Sequence, residues 1–239
     1  MKSKVLASLV LFTLVFTTNL FASEKDIYEF SWLDPDKEVF VLQNRKYRKA
    51  GHLHLNAGGG ITTSGAFVDS TAIQGRAGYF VTEDYGLEVI YSKNNGKEND
   101  TAKGVRTGGG GGSGTTPFRR IVQSYTGAMF LWSPFYSKIN TFNSIVYMDW
   151  IFGVGYASLT EKNNKLAFDV GDSTNDDVET EESHSGLIWE AGMKFYLSES
   201  FSVRTDLTAI HYKAPNVSGD GSTSYKSNFD ATVSLGYSF

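Results

Sequence analysis

The chain of 239 residues has no cysteine and only four prolines. It is therefore not one of the exported domains stapled by disulfides. So little proline leaves long β-ladders uninterrupted. Beyond its first residues it also lacks any run approaching the ~20 apolar residues of a membrane-spanning helix. Positive charge is not in excess either: 22 Lys and Arg stand against 26 Asp and Glu, a net charge of −4, which argues against a nucleic-acid partner. Histidine is scarce, with His52, His54, His184 and His211. No H-E-x-x-H or G-x-S-x-G pattern occurs, so neither a zinc protease nor a serine hydrolase elbow is present.

Aromatics and glycine are abundant: 17 Phe, 13 Tyr, 4 Trp and 25 Gly. With a mean hydropathy of −0.24, the chain either works in solution after export or crosses a membrane as strands, and the aromatics favour strands. Lys2 and Lys4, the apolar run Val5 to Phe16 and the small residue Ala22 read as a secretory signal peptide over residues 1–22.

The C-terminus carries the strongest pattern. Phe229, Ala231, Val233, Leu235, Tyr237 and Phe239 alternate with Asn228, Asp230, Thr232, Ser234, Gly236 and Ser238. Period two with one apolar face is the mark of a strand between two environments. The same reading predicts seven further strands: His52–Ile61, Thr71–Val81, Tyr85–Ser92, Arg120–Trp132, Ser144–Ser158, Ser185–Leu197 and Phe201–Tyr212. The faces of Arg120–Trp132 are ambiguous. Thr82-Glu83-Asp84 and Ser198-Glu199-Ser200 are tight turns, whereas Lys93–Phe118, Leu159–His184 and Lys213–Tyr225 are long. Sorting of connections by length is the layout of an outer-membrane barrel. The expected fold is all-β: an eight-stranded antiparallel up-and-down transmembrane β-barrel over residues 51–239, in the cell outer membrane, with residues 23–50 as an N-terminal periplasmic extension. Ser133–Asn143 is long for a turn on the short side.

If the apolar faces meet lipid, the lumen collects Arg76, Glu88, Asp149, Glu190, Lys194, Arg204, Asp206 and Asp230. An eight-stranded barrel is just wide enough for side chains to fill it, and charges buried there must pair. The reading is a charged network in place of a hydrophobic core; the sharper alternative is a narrow path for ions or small solutes. His52 and His54 fall on the lumen face as structural donors. His211 falls on the lipid face without a serine and acid beside it, which argues against catalysis.

Gly108–Gly114 reads as a mobile loop crown, lacking the Lys and helix of a phosphate loop. The carboxylates of Asp169–His184 lack EF-hand spacing and read as a solvated surface loop rather than a calcium site. In the extension, Arg45, Lys46, Arg48 and Lys49 are expected at the barrel mouth near headgroup phosphates, with a docking strand for a periplasmic partner or second subunit as the alternative.

Val41-Leu42-Gln43-Asn44-Arg45-Lys46-Tyr47-Arg48-Lys49 and Trp132-Ser133-Pro134-Phe135-Tyr136-Ser137-Lys138-Ile139-Asn140-Thr141-Phe142-Asn143 resemble a family of outer-membrane β-barrel domain proteins of predatory and gliding Gram-negative bacteria. The resemblance runs from about Asp36 to Phe239. A glycine is more usual where Ser137 stands, and the glycine run is not a family feature. The resemblance implies a structured turn over Pro134–Asn143, no catalytic residues, no cofactor, and folding by the barrel-assembly machinery. Tyr237 and Phe239 belong to the strand that this machinery would recognise. Function is accordingly expected to be structural or interactive, in envelope integrity or adhesion, with outer-membrane lipid as the surrounding partner. A porin-like narrow channel is the second reading, a lipid-modifying enzyme the third, and a soluble lipocalin-like binder the fourth.

Overall fold

The computed structural model describes residues 45–63, 65–108, 114–141, 144–169, 179–216 and 222–239. The expected signal peptide, the expected extension up to residue 44, the middle of the glycine run and the 170–178 part of the acidic loop lie outside them.

Nine strands form: β1 Leu53–Thr63, β2 Val68–Phe80, β3 Tyr85–Glu98, β4 Arg120–Trp132, β5 Tyr136–Thr141, β6 Ser144–Asn163, β7 Thr180–Tyr196, β8 Phe201–Pro215 and β9 Thr223–Ser238. Two short helices, α1 Asp100–Thr107 and α2 Leu166–Asp169, lie in the long connections. All pairings between strands are antiparallel, each with its neighbour in sequence except that β4 skips β5 to pair with β6. The sheet closes where β1 meets β9, with Leu55 opposite Tyr237 and Ile61 opposite Ala231. The result is a closed eight-stranded antiparallel barrel. Closure leaves its wall without an open edge.

The expected turns at residues 82–84 and 198–200 lie at one end, with both ends of the barrel chain. The expected strands are extended at the opposite end. β3 runs six residues beyond Ser92, β6 five beyond Ser158, and β7 begins five before Ser185. α1 was not expected, although its start is written in the sequence. Asn99 caps it, accepting a hydrogen bond from Ala102 N at 2.9 Å, and Gly108 ends it in the left-handed conformation at φ 75°.

β5 resolves the long junction. Trp132 pairs with Phe152 and Tyr136 with Asp149, so β4 and β5 are two stretches of one arm, bent at Ser133–Phe135, running along β6. The hairpin therefore projects past the short-turn end, and the structured turn is a strand pair. The ambiguous faces of β4 also have a cause. Pairing with β6 slips between Val122 and Ser124, and this bulge swaps inward and outward residues. Arg120 and Val122 point inward below it, Tyr125, Met129 and Leu131 above it.

The faces sort as expected elsewhere. Leu235 is 69% exposed and Ile73 74%, while Arg204 and Glu88 are buried. Outside, Tyr79, Tyr85, Trp132, Phe201 and Tyr237 ring the short-turn end, with Tyr91, Tyr156 and Phe229 nearer the other. The eight residue steps from Tyr237 to Phe229 span ~27 Å along a strand, or roughly 20 Å of height at a tilt near 40°. His52 departs from its expected place. β1 starts one residue later, and His52 is exposed, its Nδ1 against the Phe239 carbonyl.

The interior is not purely ionic, which corrects the expected replacement of a core by charges. Ile90, Val122, Tyr125, Met129, Leu131, Ile151, Leu159, Ile188 and Ile210 form a dry cluster inside, mostly from β3, β4, β6 and β7. Buried charged residues share these strands: Glu88 on β3, Arg120 on β4, Asp149 and Glu161 on β6, and Glu190 on β7. If this cluster is a packed core, Ile151→Ala costs about 2–5 kcal/mol in a urea titration of the refolded protein. A loss under about 0.5 kcal/mol would mean that the lumen holds water there.

Candidate functional site in the barrel lumen

Alternation on strands from opposite walls aims Arg76 of β2, Glu88 of β3, Glu190 of β7 and Arg204 of β8 at one another. Their side chains are 0 or 1% exposed. Arg204 Nη1 donates to Glu88 Oε2 at 2.6 Å and its Nη2 to Glu190 Oε1 at 2.7 Å. Arg76 Nη1 donates to Glu88 Oε1 at 2.9 Å and also to Glu190 Oε2. Each carboxylate thus gives one oxygen to each guanidinium, closing a ring of alternating charge across the lumen. Planar forked donors suit this arrangement, which a lysine could not reproduce. Asp206 accepts from Arg204 Nε at 2.7 Å, Thr208 and Gln74 accept from Arg76 Nη2, and His54 Nε2 lies 3.4 Å from Glu88.

Two further layers flank the ring. Towards the long-loop end, Asp230 is held by neutral donors: Tyr125 at 2.6 Å, Gln74 at 3.0 Å and Asn228 at 2.8 Å. Above it Glu161 pairs with Arg120 at 2.7 Å and accepts from Tyr212 at 2.7 Å. Towards the other end, Asp149 pairs with Lys49 at 2.9 Å and accepts from Tyr196 at 2.5 Å. Of the eight expected lumen residues, five meet at the ring, and Asp149 and Asp230 lie in separate layers. Lys194 is buried and donates to Ser238 Oγ at 3.3 Å, with no carboxylate within 4 Å among the described residues.

Lys49, Arg120 and Glu161 were not expected inside. Lys49 precedes the strands, the bulge concealed Arg120, and Glu161 lies past the expected end of β6. Lys49 enters from the end: its Nζ donates to Ser133 Oγ at 2.5 Å and sits 5.0 Å from the Phe80 ring. Burial holds this ammonium below its ordinary pKa, against the pull of Asp149. Tyr47 stacks on Tyr196 at 4.9 Å, and Arg45 pairs with Glu83 at 3.4 Å and Asp84 at 3.0 Å. Residues 45–50 are therefore a strap across the barrel end, with Arg45 and Lys49 spent on carboxylates rather than on headgroups.

On the outer face a serine does stand beside His211. Ser227 Oγ is 2.7 Å from Nδ1, and Trp189 Nε1 lies 2.9 Å from Nε2. An indole N–H can only donate, so Nε2 accepts and the ring proton sits on Nδ1. Ser227 then receives a hydrogen bond instead of surrendering a proton, the reverse of an activated nucleophile. Tyr237 and Phe239 are exposed on the rim, their rings 4.8 Å apart, with Phe239 N bonded to Leu53 O at 2.9 Å.

No family model and no curated protein sequence matches the chain. Among solved structures it is similar to the N-terminal β-barrel domain of Pseudomonas aeruginosa OprF, at 17% identity over 80% of this chain and 98% of that one, TM-score 0.47. It is similar also to Ail, the attachment invasion locus protein of Yersinia pestis, at 10% identity over 80% and 99%, TM-score 0.41. Neisserial surface protein A follows at 12% identity over 79% and 96%, TM-score 0.40.

The ring predicts strong coupling. Arg204→Met strands Glu88, Glu190 and Asp206 and is expected to cost about 3–5 kcal/mol in equilibrium unfolding. Adding Glu190→Gln should cost much less than it does alone, since the two groups share one ring. Additive losses would show that the ring is not an energetic unit.

Proposed function

We propose that the chain is an outer-membrane barrel with a closed lumen, whose role is structural or in surface contact rather than transport or catalysis. The observation that carries this reading is the ring of Arg76, Glu88, Arg204 and Glu190. It lies across the lumen beside a buried apolar cluster, and its four side chains, each 0 or 1% exposed, fill that layer. The greasy exterior and ionic interior support a membrane setting, because in water the same arrangement would expose a broad apolar belt. In this reading the short-turn end faces the periplasm, where an even strand count also puts both ends of the barrel chain. The long connections with α1 and α2 face outward, available for adhesion or envelope contacts.

Kinship with the outer-membrane family of predatory and gliding bacteria is part of the proposal. The two segments that carry the resemblance meet in space: Lys49 donates to Ser133, and Lys46 N to the Tyr136 hydroxyl at 3.1 Å. A shared strap-and-hairpin closure at the periplasmic end gives that pairing a physical reason. Assembly by the barrel-assembly machinery through the Tyr237–Phe239 strand belongs to the same reading. So does the absence of enzymatic function, supported by the tautomer at His211.

Refolded protein in planar bilayers is expected to give no steady single-channel conductance, and steady selective currents would favour the pore reading. Val233→Arg, in the middle of the outer band, is expected to lower stability in vesicles by about 2–4 kcal/mol. A change within about 0.5 kcal/mol would deny that this face meets acyl chains.

A further inference from the structure

One cluster in the lumen is left over by the charge network. Glu161 of β6 and Glu182 of β7 are directly opposite in register, and His184 follows two residues later on the same face. Two carboxylates facing each other across a strand pair repel and need a cation between or beside them. Glu161 has its own: Arg120, with Tyr212 and Asn163 as donors. Glu182 does not. Its Oε2 and the His184 Nε2 are both enclosed, 3.4 Å apart, and neither makes a hydrogen bond. Ligating atoms of Glu161, Glu182 and His184 all lie within 4.8 Å of one another. The imidazole is fixed by stacking on Tyr212 at 5.6 Å, the same tyrosine that orients Glu161.

We propose that Glu161, Glu182 and His184 form a binding site for a borderline divalent transition-metal ion, with zinc as the fitting probe, at the outer end of the lumen. The donor set decides the class of ion. One imidazole nitrogen and two carboxylates suit zinc and its neighbours. Calcium and magnesium call for more oxygens and no nitrogen. The ion joins the two enclosed atoms that make no hydrogen bond and offsets the repulsion between facing carboxylates. Arg120 beside Glu161 opposes a second cation, so Glu182 and His184 are the principal ligands and Glu161 completes the set. A bound ion would tie β6 to β7 just beneath the acidic connection, stiffening the base of an outer loop.

The test is calorimetric titration of untagged, EDTA-treated, full-length protein in detergent with zinc chloride, and separately with calcium chloride. One zinc per chain is expected, with no calcium heat. Glu182→Gln and His184→Ala are each expected to weaken zinc at least tenfold, with strand content by circular dichroism unchanged. X-ray absorption at the zinc edge should report one imidazole ligand. Should His184→Ala fail to fold, Glu182→Gln and the absorption edge decide alone. Absence of a stoichiometric zinc heat would overturn the proposal. So would zinc binding that survives both variants but is lost when Asp172, Asp176 and Asp177 become Asn, since the ion would then belong to the acidic loop.

Discussion

Closing an eight-stranded sheet on itself forces every second side chain into a space a few side chains wide, and the rest of this molecule follows from that constraint. A charge placed there is cut off from bulk water and must find its counter-charge within the barrel. Arg76 and Arg204, two strands from opposite sectors, meet this demand by sharing Glu88 and Glu190. Every oxygen of both carboxylates is used. The ring fixes the relative height of β2, β3, β7 and β8, because a slip of one residue would turn all four groups outward.

The lumen is mixed rather than uniform. The ring reaches across from β2 and β3 to β7 and β8, and Ile90, Leu131, Ile151 and Ile188 pack beside it on β3, β4, β6 and β7. The apolar cluster stabilises by burial, and the ionic ring adds register and rigidity. At the short-turn end a third device appears. The strap over residues 45–50 and the bent β4–β5 arm meet at Lys49, Ser133 and Asp149. A segment outside the barrel wall thereby supplies one of its interior cations.

Much of this was legible in the residues. Alternation set the eight wall strands, most of their outward faces and all eight of the expected inward charges, and it missed Lys49, Arg120 and Glu161. The exceptions have particular causes. His52 misled because alternation alone does not say where a strand starts. β4 misled because a bulge breaks parity without leaving a glycine or proline to mark it. β5 reads as a turn because Tyr136–Thr141 is short and four of its six residues are exposed. The strap was read as a headgroup contact because Lys49 has no periodic context.

Residue order alone sets which face of each unbulged strand is greasy and which is ionic, because side chains alternate with a fixed period whatever the partner strand. It also sets which connections are short, since turn residues act locally. Who pairs with whom depends on how the sheet closes. Arg76 and Glu190 are 114 residues apart, and no local rule links them. Their meeting depends on the stagger of the closed sheet, and so do the facing of Glu161 with Glu182 and the arrival of Lys49 at Asp149.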